Sequence, residues 1–423
     1  MPLACKSQRL RIVVTGLAAT YPFGGVFWDY IQYVLGFHRL GHDVLYLEDN
    51  GRWCYDPAAQ TFVADASGNA ARLQAGLTAL DPALKDHWFF RDAAGLTYGR
   101  SWPDVVRSIR EADLFLHISA SCWMRDEYFA CKRLAFIDSD PMYTQGSVPG
   151  YLNGTAAPDE RDRVEMLRRH DVFFTFAENL GGADCRIPLG VFDWKTTRQP
   201  IVLSCFEPHR IPVTARRRTL TTVASWEPTE KGPTFDGVLY TGKSTEFLRF
   251  QELPSRSSLS LELAMSGPAP YGMLRGKGWH VRDAWEVTSD PWVYRDYLAH
   301  SLGEWSVAKN TYAAGRTGWF SCRSACYLAL GVPVVVQDTG FGRIIPTGEG
   351  VLPFNTPDEA AGAIAAVAAD PDRHARAASE IAREYFDADK VLTRLLEHAM
   401  SSSTSTPPGA TRAAEAAGVG VQD

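Results

Sequence analysis

Short apolar runs recur along the chain at intervals that leave room for a helix between them. Ile12-Val13-Val14, inside Leu10 to Gly16, is followed by small residues and Pro22, then by an amphipathic stretch from about Val26 to Leu40. Gly41-His42-Asp43 and a second run, Val44 to Glu48, come next. A helical period between two short apolar runs, with a glycine stop, predicts a β-α-β unit. Leu114 to Ile118, Leu134 to Ile137 and Val172 to Phe176 repeat the pattern, each closed by a polar residue. Their apolarity is continuous rather than alternating, which predicts strands covered on both faces, as in a parallel sheet.

The pattern weakens between about Trp194 and Arg218, where Pro200, Pro208, Pro212 and Arg216-Arg217-Arg218 read as a connection. A second series follows: Leu220 to Val223, Gly237 to Thr241, Trp279 to Val281, Trp305 to Val307 and Val332 to Val336. Ala-rich stretches from Asp358 to Ala369 and from Pro371 to Met400 predict further helices. The expected organisation is therefore an α/β domain over residues 1–210, a second over 211–385, a terminal helix over 386–400, and a disordered Ser/Thr/Pro/Gly tail over 401–423. Open parallel sheets bind ligands at the carboxyl ends of their strands, so two facing halves predict a cleft.

With 423 residues, 45% of them hydrophobic and 22% charged, the chain has material for two to three domains and an ample core. Its 43 Lys and Arg against 49 Asp and Glu give a net charge of -6, from which no nucleic-acid partner is expected. Eight cysteines without a C-x-x-C pair or a repeated metal spacing predict a reduced, cytoplasmic protein with no metal site. Lys6, Arg9 and Arg11 precede an apolar run too short for a signal segment, and no 18-residue apolar stretch follows, so no integral membrane association is expected.

The segment richest in chemistry runs from Ala314 to Val336. It reads as a glycine loop (Gly315, Gly318), a helix opening with Ser321 and Ser324, a stop at Gly331 and a buried strand. Free amides at that helix start, with the two hydroxyls and Arg323 beside them, suit a diphosphate. An isolated S-x-x-S admits a plainer reading, in which Ser321 caps the helix and Arg323 faces solvent. After the strand come Thr339-Gly340-Phe341, then Gly348-Glu349-Gly350-Val351, then the helix near Asp358.

In that order and spacing, Gly331-Val332-Pro333-Val334-Val335, Thr339-Gly340, Gly348-Glu349-Gly350-Val351 and Asp358-Glu359-Ala360 resemble the carboxyl-terminal half of GT-B glycosyltransferases of the group 1 type, including relatives of the spore-maturation glycosyltransferases. Arg39-Leu40-Gly41-His42-Asp43-Val44 resembles that family's first helix-to-strand turn, and the likeness spans about residues 10 to 395. It implies two Rossmann-like domains facing across a cleft, a nucleoside-diphosphate sugar held mainly by the second as substrate, no cofactor, no metal, and a small-molecule or glycan acceptor held mainly by the first. Helix amino ends and basic side chains then stabilise the departing diphosphate. Lys243, Ser321, Arg323 and Ser324 are the candidates for that site, and Thr339, Gly340, Phe341 and Glu349 for the donor sugar or ribose. Many retaining members carry a Glu where this chain has Cys326, so the usual pair of glutamates is not intact and the stereochemical outcome stays open.

Phe136-Ile137-Asp138-Ser139-Asp140-Pro141 places two carboxylates at a strand end, where one could deprotonate an acceptor hydroxyl. The same residues spell D-x-D, but base or acceptor binding by Asp138 or Asp140 ranks above a divalent metal because nothing else supports the other glycosyltransferase fold. Ser119, Glu178 and the Gly24-Gly25 turn sit at corresponding strand or helix ends and are the acceptor-site candidates. The expected function is transfer of a sugar to a hydroxyl, with Ala and Arg usage pointing to a bacterial natural-product or envelope pathway. The rivals are a nucleotide-sugar epimerase of the same fold and a non-catalytic scaffold, the latter motivated by Cys326.

Overall fold

Two parallel sheets follow one another along the chain in this computed structural model, which describes residues 9–226 and 232–401. Lys6 and the tail expected beyond Ser401 lie outside those residues. The first sheet contains β1 (Arg11–Thr15), β2 (Asp43–Asp49), β3 (Trp88–Arg91), β4 (Thr97–Gly99), β5 (Leu114–Ile118), β6 (Leu134–Asp138), β7 (Val172–Thr175) and β8 (Trp194–Thr196). Their spatial order is β8-β7-β6-β5-β1-β2-β3-β4, parallel except at the β3-β4 edge. Ile12 lies opposite Val44 on one side and Leu114 on the other, and every residue of β5 and β6 is buried. Helices on both faces demand this burial, which is why the runs are apolar without alternation.

The second sheet orders β11 (His280–Asp283), β10 (Ser260–Ser266), β9 (Arg217–Ser225), β12 (Ser301–Ser306), β13 (Val334–Gln337) and β14 (Val351–Phe354) side by side, all parallel. The run Gly237 to Thr241 does not join it. Asp236 and Gly237 both have positive φ, 53° and 73°, and fold the chain into a two-residue Asp-Gly turn pairing Thr234–Phe235 with Val238–Leu239. The place beside β9 goes instead to β10, whose Leu261, Leu263 and Met265 alternate into a core with Phe247 and Trp305.

Strand order reverses between β1 and β5 in the first sheet and between β9 and β12 in the second. Those reversals splay the connecting loops apart and open a crevice at the carboxyl ends of the strands. Helix α1 (Gly24–Arg39) starts at the first reversal and runs between the halves. It is apolar nearly all round because it packs on both: against α3 (Pro291–Ala299) of the second half and α5 (Ala388–Met400), the helix that returns across the first. A Cβ on Gly24 would stand 2.4 Å from Tyr294 Cβ and 2.9 Å from the backbone Asp290 O, so that close approach requires glycine, while one on Gly36 would displace the Leu392 side chain, whose Cδ1 lies 2.4 Å away. Among the described residues no helix is long and apolar enough to cross a membrane.

A candidate active-site cleft

A cavity of about 930 Å³ lies between the halves. Gly25, Val26 and Asp29 of α1 form one wall; Lys243, at the start of the short helix α2 (Lys243–Leu248), and Ser321, Cys322 and Arg323 form the opposite one. The last three open α4 (Cys322–Ala329). Ser321 occupies the N-cap position, yet its hydroxyl makes no capping hydrogen bond, and the first backbone amide satisfied within the turn is that of Ala325, on Ser321 O at 3.0 Å. The amides of Cys322, Arg323 and Ser324 bond to no other described residue. Ser324 Oγ is buried without a hydrogen-bond partner, beside Ser321 at the foot of the same helix end. Open amides and the positive end of the helix dipole make a surface suited to an anion, while the Ser324 hydroxyl lies behind it, outside the cleft lining.

The loop before α4 is shaped by close packing. Gly318 has φ 79°, donates its amide to Thr339 O at 2.8 Å, and a Cβ there would lie 2.3 Å from Asn179 N. Trp319 donates Nε1 to Ser139 O at 3.0 Å and stacks on Tyr312 at 4.4 Å, tying the second half to the end of β6.

Arg323 lines the cavity but is committed elsewhere. Its Nε donates to Glu304 Oε1 at 2.7 Å, Nη1 to Val223 O at 2.8 Å and Nη2 to Ser306 Oγ at 2.5 Å. Glu304 is wholly buried, and its Oε2 has no partner. The guanidinium therefore neutralises a buried carboxylate of the fold first, and offers a ligand only its remaining edge. The plainer sequence reading of Arg323, a solvated face residue, does not hold.

A second cavity, of about 570 Å³, sits over the ends of β5 and β6 and meets the first at Asp140, Ser225 and Lys309. Asp140, half exposed, accepts from Lys309 Nζ at 3.1 Å and from the Tyr312 hydroxyl. Asp138 turns the other way. It is 2% exposed and accepts from Gln145 Nε2 at 2.6 Å and from the Thr144 and Thr175 hydroxyls, each at 3.0 Å. Burial pushes its carboxyl up to about 6, against the pull of those three donors. The two aspartates of the D-x-D thus serve different partners, and among the described residues no group of three His, Cys, Asp or Glu gathers at metal-ligand spacing. Ser119, with φ 56°, hydrogen-bonds Ser139 at the rim of the second cavity.

Other expected site residues stand elsewhere. Gly24 is covered by Tyr294, so only its neighbour Gly25 reaches the cleft. Thr339 donates to Trp319 O at 2.6 Å, Gly340 (φ 101°) closes a turn on Asp338, and Phe341 packs on Phe320; all three brace the loop from behind. Glu349 is on an exposed turn paired with Arg373, away from both cavities, because Gly350 is pressed against the helix backbone at Ala378 and turns the loop outward. Glu178 is buried against Arg198 (2.6 Å) in a separate cavity beside Tyr385 and Arg394. Contact with Arg198, a charge from β8's flank, draws it off the acceptor side.

Two cleft residues escape the sequence reading. Asp29 is the single carboxylate on α1; burial pushes it up to about 7, partly offset by a hydrogen bond with the Cys322 thiol. A lone acid in an otherwise apolar helix was the available signal. Lys309 follows β12, at a strand end like the others, but its neighbours Val307 and Ala308 gave it no motif. Cys326, at the position of the missing glutamate, is 2% exposed and faces Gln32 of α1 rather than the cleft.

No family model matches the chain, and no curated protein matches it in sequence. Solved structures do share its architecture. An alpha-glucosyltransferase in complex with UDP and a 13-mer DNA containing an HMU base superposes with a TM-score of 0.58 over 93% of this chain and 100% of that one, at 10% identity. Anabaena Alr3699/HepE in complex with UDP and glucose gives a TM-score of 0.51 over 92% and 99%, also at 10% identity. A likeness so remote in sequence is one of fold, and the fold is GT-B: two Rossmann-like domains facing across a cleft. One expectation is corrected here. A chain of this fold is solved with DNA bound, so neither the architecture nor a net charge of -6 excludes a nucleic-acid partner.

Proposed function

We propose that the protein transfers a sugar from a nucleoside diphosphate to an acceptor hydroxyl, on a small molecule or glycan, without a cofactor or a metal. The observation that carries the reading is the open amino end of α4: Cys322 and Arg323, whose amides bond to no other described residue, line a cavity large enough for a nucleotide sugar, between two domains. The diphosphate rests on those amides and on Ser321, with the Lys243 ammonium beside it. The acceptor enters the second cavity, and its hydroxyl meets the donor at Asp140, where the two cavities join. The acceptor oxygen bonds to the anomeric carbon, the bond from that carbon to the diphosphate breaks, and the hydroxyl proton passes to Asp140. Charge leaving on the diphosphate is met by preorganised amides and Lys243, as electrostatic catalysis requires. Asp138, spent on three internal donors, is a positioning residue for the β6 end and not the base.

The second cavity favours transfer over epimerisation, which needs no room for an acceptor. A thermal-shift panel of UDP, GDP, ADP and dTDP tests the first half of the proposal: one of them stabilises the protein with the logarithm of its concentration, and Lys243→Ala weakens the effect. Asp140→Asn then retains the nucleotide shift and loses transfer. No shift from any of the four ends the reading, and epimer formed from donor alone supports the rival.

A further inference from the structure

The second cavity contains an arginine that pairs with no carboxylate among the described residues. Arg163, on the helix Pro158–Arg168, is half-buried, and its Nη1 donates to Tyr143 O at 3.1 Å and to Ser147 Oγ at 3.0 Å. Both protons of one terminal nitrogen are thereby used. The other edge, Nε with Nη2, bonds to no described residue, and that edge is the one that pairs side by side with two oxygens of a carboxylate or phosphate.

The arginines around the first cavity are treated differently. Arg323 is neutralised by Glu304 at 2.7 Å, and Arg316, near the same loop, by Asp338 at 2.8 Å and Asp184 at 3.2 Å. The two carboxylates among the described residues lining the second cavity are also taken. Asp140 is bound by Lys309 and Tyr312, while Asp138 is occupied by Thr144, Gln145 and Thr175 and feels the charge of Asp140. A guanidinium fixed at one end, partly withdrawn from water and with no counter-ion among the described residues carries a desolvation cost that an incoming anion would offset.

We infer that Arg163 marks an oxyanion subsite for the acceptor: the molecule that receives the sugar bears a carboxylate or a phosphate, gripped by the Nε–Nη2 edge, while its hydroxyl lies at Asp140. Phe136, Tyr143 and Trp226 line the same cavity, so the acceptor presents an apolar or ring-shaped body to it. This rests on the proposed function for the identity of the cavity, though not for the existence of the anion site.

The test is calorimetric titration of the full chain with inorganic phosphate and, separately, with benzoate at constant ionic strength. It is run with the best nucleotide of the panel at saturation, so that the α4 site is filled, and again without nucleotide. One of the two anions binds the nucleotide-loaded protein at one site, which tells phosphate from carboxylate. Arg163→Gln weakens that binding on the order of tenfold or more, as loss of a charge-assisted pair implies. Arg163→Lys keeps part of it, and both variants keep the wild-type nucleotide affinity and circular dichroism spectrum. Absence of anion binding, or equal binding by wild type and Arg163→Gln, overturns the subsite. Should no nucleotide bind at all, the glycosyltransferase reading falls, and the nucleotide-free titration still decides Arg163.

Discussion

Arg323→Ala separates two views of the cleft. In the sequence Arg323 is a phosphate ligand, and its removal should abolish nucleotide binding while leaving the fold intact. In the structure it is the counter-ion of Glu304, a residue with no exposed surface, through a 2.7 Å hydrogen bond, with further bonds to Val223 O and Ser306 Oγ. Truncation leaves an uncompensated carboxylate inside the second domain, and breaking such a pair from one side costs about 3–5 kcal/mol. Against a stability of roughly 5–15 kcal/mol, that is a large share. At roughly 2–4 °C per kcal/mol, the Tm falls by about 6–20 °C. The double variant Arg323→Met with Glu304→Leu removes the buried charge together with its partner and recovers most of the loss, because an apolar pair of similar volume is close to neutral there. Urea unfolding followed by circular dichroism measures both. Arg323→Ala as stable as wild type, or a double variant no better than the single, refutes the reasoning. It would return Arg323 to the ligand.

Two further outcomes depend on pH. Asp29 titrates near 7 in the folded protein against 3.8 as the ordinary value, so the native state holds its proton more tightly and stability from this group is lost as pH rises from about 4 to 7. Asp29→Asn should therefore stabilise the protein increasingly across that range and by a constant amount above it; a gain independent of pH in urea midpoints contradicts this. His117 and His170 stack, with Nδ1 of the first 3.1 Å from Nε2 of the second, while Met166 O takes the Nδ1 proton of His170 and His117 Nε2 accepts from the Cys122 amide. That chain has no room for another proton, and burial holds His117 well below 6.5 and His170 at about 4. The unfolded chain binds more protons at these two sites below 6.5, so their contribution to stability falls as pH drops toward 4, opposite in sense to that of Asp29; the test therefore compares wild type with His117→Asn, and a difference between their urea midpoints that stays constant from pH 7 to 4.5 refutes the assignment.

The sequence by itself determined the fold class. Runs such as Leu114 to Ile118 and Leu134 to Ile137 are apolar at every position because both faces of a parallel strand are covered, and that constraint is local enough to read residue by residue. It determined the helix start at Ser321 for the same reason: glycine, hydroxyl and helical period lie within a dozen residues. At 236–237 the sequence reading passes over the local Asp-Gly signal in favour of a strand from Gly237 to Thr241, and the turn that signal forms is what keeps that run out of the sheet. What only the tertiary structure decided is which charges are free to meet a ligand. Arg323 and Glu304 stand 19 positions apart, Asp140 and Lys309 169, and Arg163 is held by residues from another element. A side chain's charge is available only where nothing else in the fold neutralises it, and that depends on distances no spacing along the chain records.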